Sequence, residues 1–194
     1  MLEELLELDK NLLIYLNNLG SETWDGLWLV ITNKLTFIPL YAVLLFLIYK
    51  KLGWKYLLPM IFVIAAMITF TDQITNVFKD GFMRARPCRA EGVMEYIRFV
   101  AKRCGKYGFF SGHSSNSMAA AVFGGLILRP YFKNLIFILL FWSFIVAYSR
   151  IYVGVHYPID IVCGMLFGGL SGVLFYKLNN VIQAKIQSRS LSKS

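Results

Sequence analysis

The chain has 194 residues, a formal net charge of +9 and 57% hydrophobic residues. Its mean hydropathy of +0.58 is too apolar for a soluble domain of this size. The length allows one domain spanning 1–194, and no repeat, low-complexity segment or nucleic-acid-binding module is evident.

The first twenty residues carry Glu3, Glu4, Glu7 and Asp9 against Lys10, the wrong charge for a signal n-region. Leu2, Leu5, Leu6, Leu13 and Leu16 among these acids read as an amphipathic helix over 1–20, lying on a membrane surface. A first helix packed on the bundle is the alternative.

Apolar runs at about 24–49, 54–78, 113–130, 134–152 and 158–177 approach the roughly 20 residues needed to cross a bilayer. A spanning segment satisfies its own backbone groups, so these runs are helices. The fold class is all-α: an integral membrane helical bundle of about five transmembrane helices plus the N-terminal surface helix. The third span begins with Ser114, Ser115, Asn116 and Ser117, which suits a cavity better than lipid.

Lys50, Lys51 and Lys55, then Arg129 and Lys133, then Lys177, Lys185, Arg189 and Lys193 fall on one side of such a bundle. The positive-inside rule makes that side cytoplasmic. Residues 179–194 then form a basic, fraying cytoplasmic tail, and the 79–112 loop faces outward. The expected place is a cytoplasmic membrane crossed several times, with the loop on the outer side. That loop breaks the charge rule, with Lys79, Arg84, Arg86, Arg89, Arg98, Lys102, Arg103 and Lys106 against Asp80, Glu91 and Glu95. An anionic ligand explains cations on the wrong side; attraction to anionic headgroups is the plainer reading.

Cys88 and Cys104 share the loop, while Cys163 lies in the last span. An outward loop is oxidising territory, so a Cys88–Cys104 disulfide is expected, stabilising by roughly 3 kcal/mol. Two histidines and no clustered cysteines cannot supply a tetrahedral metal set. On the last span, Gly164, Gly168 and Gly172 are spaced for close helix approach, read as packing within the bundle in preference to dimerisation.

Three blocks carry chemistry: Lys79-x6-Arg86-Pro87, Ser111-Gly112-His113, and Ser149-Arg150-x5-His156-x3-Asp160. Lys79 and Arg150 sit at span ends, where a lone cation would be a plain interfacial anchor. Two such ends, with Arg86, point instead to a phosphoryl clamp. Ser111 caps a helix whose N-terminus favours a phosphate, and Gly112 allows close backbone approach. His113 suits a proton donor, and Asp160 is placed to orient His156 as a nucleophile. Asp72 lies within the second span on one face with Asn76 and Lys79; it is expected to support a site cation, with an interhelical hydrogen bond as the alternative.

The three blocks resemble the type 2 phosphatidic acid phosphatase (PAP2) superfamily, whose motif reads KxxxxxxRP, PSGH and SRxxxxxHxxxD. The match runs from about residue 70 to 172, with Phe110 in place of the usual proline. The resemblance implies a metal- and cofactor-independent phosphatase acting on a phosphorylated lipid in the bilayer. In it His156 is the nucleophile and His113 the acid, with Lys79, Arg86, Arg150, Ser111 and the Gly112 amide holding the phosphoryl oxygens. Undecaprenyl diphosphate ranks first as substrate, ahead of phosphatidylglycerophosphate, phosphatidate and the lipid A phosphates. The rivals are a lipid phosphotransferase, a non-catalytic anionic-lipid-binding or transport protein, and a membrane serine protease built on Ser111 and His156.

Overall fold

The computed structural model describes the backbone of residues 1–191 and the side chains of residues 1–188. The described residues form helices with no named strand: α1 (Leu2–Asn18), α2 (Glu22–Ile31), α3 (Ile38–Leu52), α4 (Trp54–Phe82), α5 (Gly112–Leu128), α6 (Leu135–Tyr152) and α7 (Pro158–Leu191). A 3-10 turn, Lys34–Phe37, joins α2 to α3, and another, Pro87–Arg89, lies in the long loop.

Four of these stretches are long and apolar enough to cross a membrane. The expected fifth span, α5, is not among them; it is a 17-residue helix at the centre of the bundle. It packs chiefly against α7 and α6, and its residues Ser114, Ser115 and Ser117 are buried. Helix α7 reaches α5 through its glycines. A Cβ on Gly164 would lie 2.6 Å from the Ser111 carbonyl, and one on Gly172 would lie 2.8 Å from that of Ala119. Gly168 is set against the backbone of Ser115. The small-residue stripe therefore serves packing within the bundle, where backbones meet directly. Further along, Leu44, Ile48, Met60, Met67, Phe123, Leu128 and Leu139 close the core. Large apolar side chains such as Phe46, Phe62, Phe137, Phe141, Phe144, Leu166 and Leu170 point outward, as a lipid-facing surface requires.

Lys51 Nζ sits 5.6 Å from the Tyr131 ring and 5.7 Å from the Phe132 ring. The α3–α4 and α5–α6 turns thus share one end of the bundle. The chain reverses between α3 and α4 at Gly53, whose φ of 81° is left-handed and open to glycine.

Two expectations need correction. The run at 24–49 is not one span: α2 stops at Ile31 and α3 begins at Ile38. Asn33 breaks the path by accepting from the Leu35 amide (3.0 Å), and the Thr36 hydroxyl donates to the Val30 carbonyl (2.6 Å). A hydropathy window does not register such local hydrogen bonding. Nor does the tail fray from residue 179: α7 continues to Leu191, and Gln183 bonds the Tyr56 carbonyl at 2.8 Å. Lys193 lies outside the described residues.

α1 combines both readings made of it. Asp9, Leu13 and Asn17, spaced at i, i+4 and i+8, are buried against the bundle, while Leu2, Leu5 and Leu6 stay exposed. Asn17 donates to the carbonyls of Ile151 (3.0 Å) and Tyr152 (2.8 Å) and accepts from the Arg98 amide (2.6 Å). These bonds hold α1 at the loop end of α6.

Candidate active site

The three sequence blocks meet at the loop end of the bundle. α4 carries Lys79 in its last turn, and the chain leaves the helix at Met83 in a left-handed conformation. The loop is closed by a disulfide between Cys88 and Cys104, with Cα atoms 6.2 Å apart. Ala85 pairs with Tyr107 across the loop, and the Gly108 amide donates to the Arg84 carbonyl at 2.9 Å. Arg86 Nε donates to the Tyr107 carbonyl at 2.8 Å, which fixes the guanidinium and leaves its two terminal nitrogens for a ligand. Burial holds Arg86 below the ordinary arginine value. A desolvated guanidinium of this kind gains from an anion.

Ser111 is the N-cap of α5: its Oγ accepts from the Ser114 amide (3.4 Å) and the Ser114 hydroxyl (3.0 Å). Among the described residues no histidine bonds Ser111 Oγ, as a serine-protease nucleophile would need. An added Cβ on Gly112 would sit 3.7 Å from Lys79 Nζ, so the second block lies against the first. Phe110, in the proline position, is buried and packs on Phe78 and Phe167 with ring centroids 5.1 and 5.2 Å apart. Aromatic packing here supplies the rigidity a proline would lend.

The third block turns at Gly154, whose φ is 77° and whose Cβ, if present, would lie 2.9 Å from the Arg98 carbonyl. Pro158 opens α7, and Asp160 falls in its first turn. Asp160 Oδ2 lies 3.2 Å from His156 Nδ1 and accepts from the Tyr157 amide at 3.1 Å. Its Oδ1 accepts from Arg84 Nη1 at 2.9 Å. Two of these partners can only donate, so Asp160 is an acceptor carboxylate and His156 Nδ1 carries the proton. The Nε2 lone pair is then the one free to react. His156 is almost fully buried, and burial pushes its pKa down to about 4, against the partial offset of the Asp160 hydrogen bond. It is neutral near pH 7. Gly108 brings the loop onto this pair: a Cβ there would lie 3.1 Å from Asp160 Oδ2, 3.3 Å from Arg86 Cγ and 3.7 Å from His156 Nδ1.

Arg150 donates through Nη1 to the Thr32 hydroxyl, and its Nε is buried with no partner among the described residues. His113 lies within electrostatic reach of Arg150, Lys34, His156 and Arg86. It also lines a cavity of about 330 Å³, with Thr32, Lys34 and Asn116 among the polar residues of the lining. The rest of the lining is largely apolar and includes Leu44, Ile48, Met67, Phe123 and Trp142.

Of the two readings of Asp72, the structure shows the interhelical hydrogen bond. The Asp72 carboxylate accepts from Asn116 Nδ2 at 2.7 Å, and Asn116 Oδ1 accepts from the Thr71 hydroxyl at 2.5 Å. It is an α4–α5 tie and bonds no site cation. Three participants escaped the sequence reading. Thr32 holds Arg150, Arg84 holds Asp160, and Asp9 accepts from Arg84 Nη2 at 2.6 Å. The available signals were the Arg84-x-Arg86 pairing and the polar interruption at Thr32-Asn33. Nothing marked Asp9 apart from its three acidic neighbours.

The PAP2 superfamily model matches residues 56–183. The lipid A 4'-phosphatase of Bacteroides thetaiotaomicron is 35% identical over 191 residues, covering 97% of this chain and 84% of that protein. The lipid A 4'-phosphatase of Porphyromonas gingivalis is 33% identical over 181 residues, covering 91% and 75%. Among solved structures, the PAP2-type phosphatidylglycerolphosphate phosphatase of Bacillus subtilis superposes with a TM-score of 0.72 at 20% identity, covering 92% of this chain and 88% of that one. LpxE of Aquifex aeolicus superposes with a TM-score of 0.67 at 22% identity, covering 86% and 93%. The two structural likenesses speak for the fold alone. With the family's model matched over more than half its length, this chain belongs to the PAP2 superfamily, as a multi-pass membrane phosphatase of the metal-independent type.

Proposed function

We propose that this protein removes the 4'-phosphate of lipid A at the outer face of a bacterial inner membrane, through a phosphohistidine. The observation that carries a lipid substrate is the cavity: His113 and Lys34 line it together with many apolar side chains. Such a lining suits a charged head joined to an acyl chain. The identity of the lipid rests on the two near-full-length relatives, both lipid A 4'-phosphatases. They favour a lipid A monoester over undecaprenyl diphosphate, the first choice from sequence. The outer placement rests on the cationic turns at the opposite end.

The mechanism follows from the site. Lys79, Arg86 and Arg150 hold the phosphoryl oxygens, aided by the N-terminus of α5 at Ser111 and Gly112. His156 Nε2 attacks phosphorus; the Nε2–P bond forms as the ester P–O bond breaks. His113 gives a proton to the leaving sugar oxygen. Water then attacks phosphorus, passing its proton to His113, and the P–N bond breaks to release phosphate. Asp160 stabilises the positive charge on His156 while phosphorus is attached.

The test is phosphate release by purified protein, with EDTA present, from lipid A bisphosphate, undecaprenyl diphosphate, phosphatidylglycerophosphate and phosphatidate. Lipid A is expected to be hydrolysed fastest, with tandem mass spectrometry placing the loss at the 4' position. His156→Ala should release none while keeping the wild-type melting profile. Preference for another lipid would overturn the substrate, and substantial turnover by folded His156→Ala would overturn the mechanism.

A further inference from the structure

We infer that Arg84 and Asp9 form a clamp that orients Asp160, and through it His156, so that the N-terminal helix is a working part of the catalytic pair. The inference rests on the phosphatase reading of His156 and Asp160 but not on the identity of the lipid.

The contacts form a closed ring. Arg84 uses its two terminal nitrogens separately, Nη1 to Asp160 Oδ1 at 2.9 Å and Nη2 to Asp9 Oδ2 at 2.6 Å. The other Asp9 oxygen accepts from the Ile159 amide at 2.8 Å, one residue before Asp160. The Arg84 guanidinium carbon lies 3.9 Å from the Tyr157 ring centre, a cation–π contact that adds a third support beside the two carboxylates. Asp9 is 3% exposed and Asp160 is fully buried, so neither charge is supported by bulk water.

Each part has a consequence for His156. A carboxylate held only through Oδ2 can rotate about its terminal torsion, and its alignment with Nδ1 is lost. Fixing Oδ1 as well sets the plane of the group. Arg84 also separates two buried negative charges that would otherwise repel. Lysine has no planar fork to span both. α1 has a separate anchor in Asn17, so altering Asp9 leaves the helix docked.

The experiment compares wild type, Arg84→Gln, Asp9→Asn and the double variant as full-length purified proteins. Each is assayed with whichever lipid of the panel above the wild type hydrolyses fastest; if that lipid is not lipid A, the substrate reading falls and the clamp is still tested. Arg84→Gln should lower kcat by roughly tenfold, the low end of what removing a metal-bound histidine's direct hydrogen-bond partner costs, because Arg84 acts on His156 only through Asp160, with KM unchanged. Asp9→Asn should lower kcat less. The double variant should be more active than Arg84→Gln alone, because Asp9 no longer faces Asp160 without a cation between them. A purely structural role would give additive losses that track the melting midpoint. Additive losses, an unchanged kcat in folded Arg84→Gln, or a rise in KM alone would each overturn the clamp. If Arg84→Gln does not fold, Asp9→Asn decides: kcat must fall at constant KM, and wild-type kcat overturns the inference.

Discussion

The Ser111 amide donates to the backbone carbonyl of Asp160 at 3.0 Å. The residue proposed to orient His156 is therefore bonded to the cap of the helix proposed to receive the phosphate. The bond joins the second and third sequence blocks without using either side chain, so Asp160 keeps both carboxylate oxygens for His156, Tyr157 and Arg84.

Because burial holds His156 at about 4, the reactive neutral imidazole is present across the physiological range and is lost as pH falls through about 4. The acid limb of kcat/KM should lie there. A substrate phosphate titrates near ~6 and is identified by titrating the lipid alone. An enzyme limb at the ordinary histidine value of about 6.5 would show that His156 is not held neutral by burial.

Arg150→Lys should reduce kcat/KM by about tenfold to hundredfold, the worth of one charge-assisted hydrogen bond of roughly 1.5–3 kcal/mol. Arg150 already spends Nη1 on Thr32, and its Nε has no partner among the described residues. A lysine has one nitrogen for both tasks. Near-normal kinetics in a folded lysine variant would make Arg150 a topological anchor.

Gly124 lines the apolar cavity, with only Leu44 and Leu139 within van der Waals distance of an added Cβ. Gly124→Leu should fill that space. Displacing about two methylenes of an acyl chain, at ~0.8 kcal/mol each, should raise KM for a long-chain lipid by about tenfold. A short-chain phosphate ester should be hydrolysed as before. Equal effects on both substrates would mean that the chain lies elsewhere.

Gly168→Ala should destabilise the protein by roughly 1–3 kcal/mol, because its Cβ meets the Ser115 backbone, which cannot rotate away. The melting midpoint in detergent is the readout. An unchanged midpoint would show that α5 and α7 are less tightly apposed than described.

Thiol labelling of denatured, unreduced protein should modify Cys163 and spare Cys88 and Cys104. Reduction should lower stability by roughly 3 kcal/mol, since the bridge closes a loop with a sequence separation of 16. Labelling of all three cysteines in protein isolated without reductant would remove the bridge, and with it one support for an outward-facing loop.

What the sequence determined by itself was local in character. Spans follow from runs of apolar residues, and the phosphate-handling blocks follow from fixed spacings that a helix end or tight turn converts directly into position. Lys79, Ser111, Arg150, His156 and Asp160 are legible for that reason. The tertiary structure decided what depends on which helices touch. Arg84 meets residues 75 and 76 positions away, and Asp9 reaches an amide 150 positions on. No periodicity encodes such pairings. Asp72 shared a helical face with Lys79, yet α5 set Asn116 within its reach and took the bond. The polar pair Thr32-Asn33 was visible in the sequence but costs too little hydropathy to mark a break; its use in holding Arg150 depends on packing against α6. Side-chain partnership is decided by proximity after packing, and burial then makes each buried polar group take the partner that packing supplies.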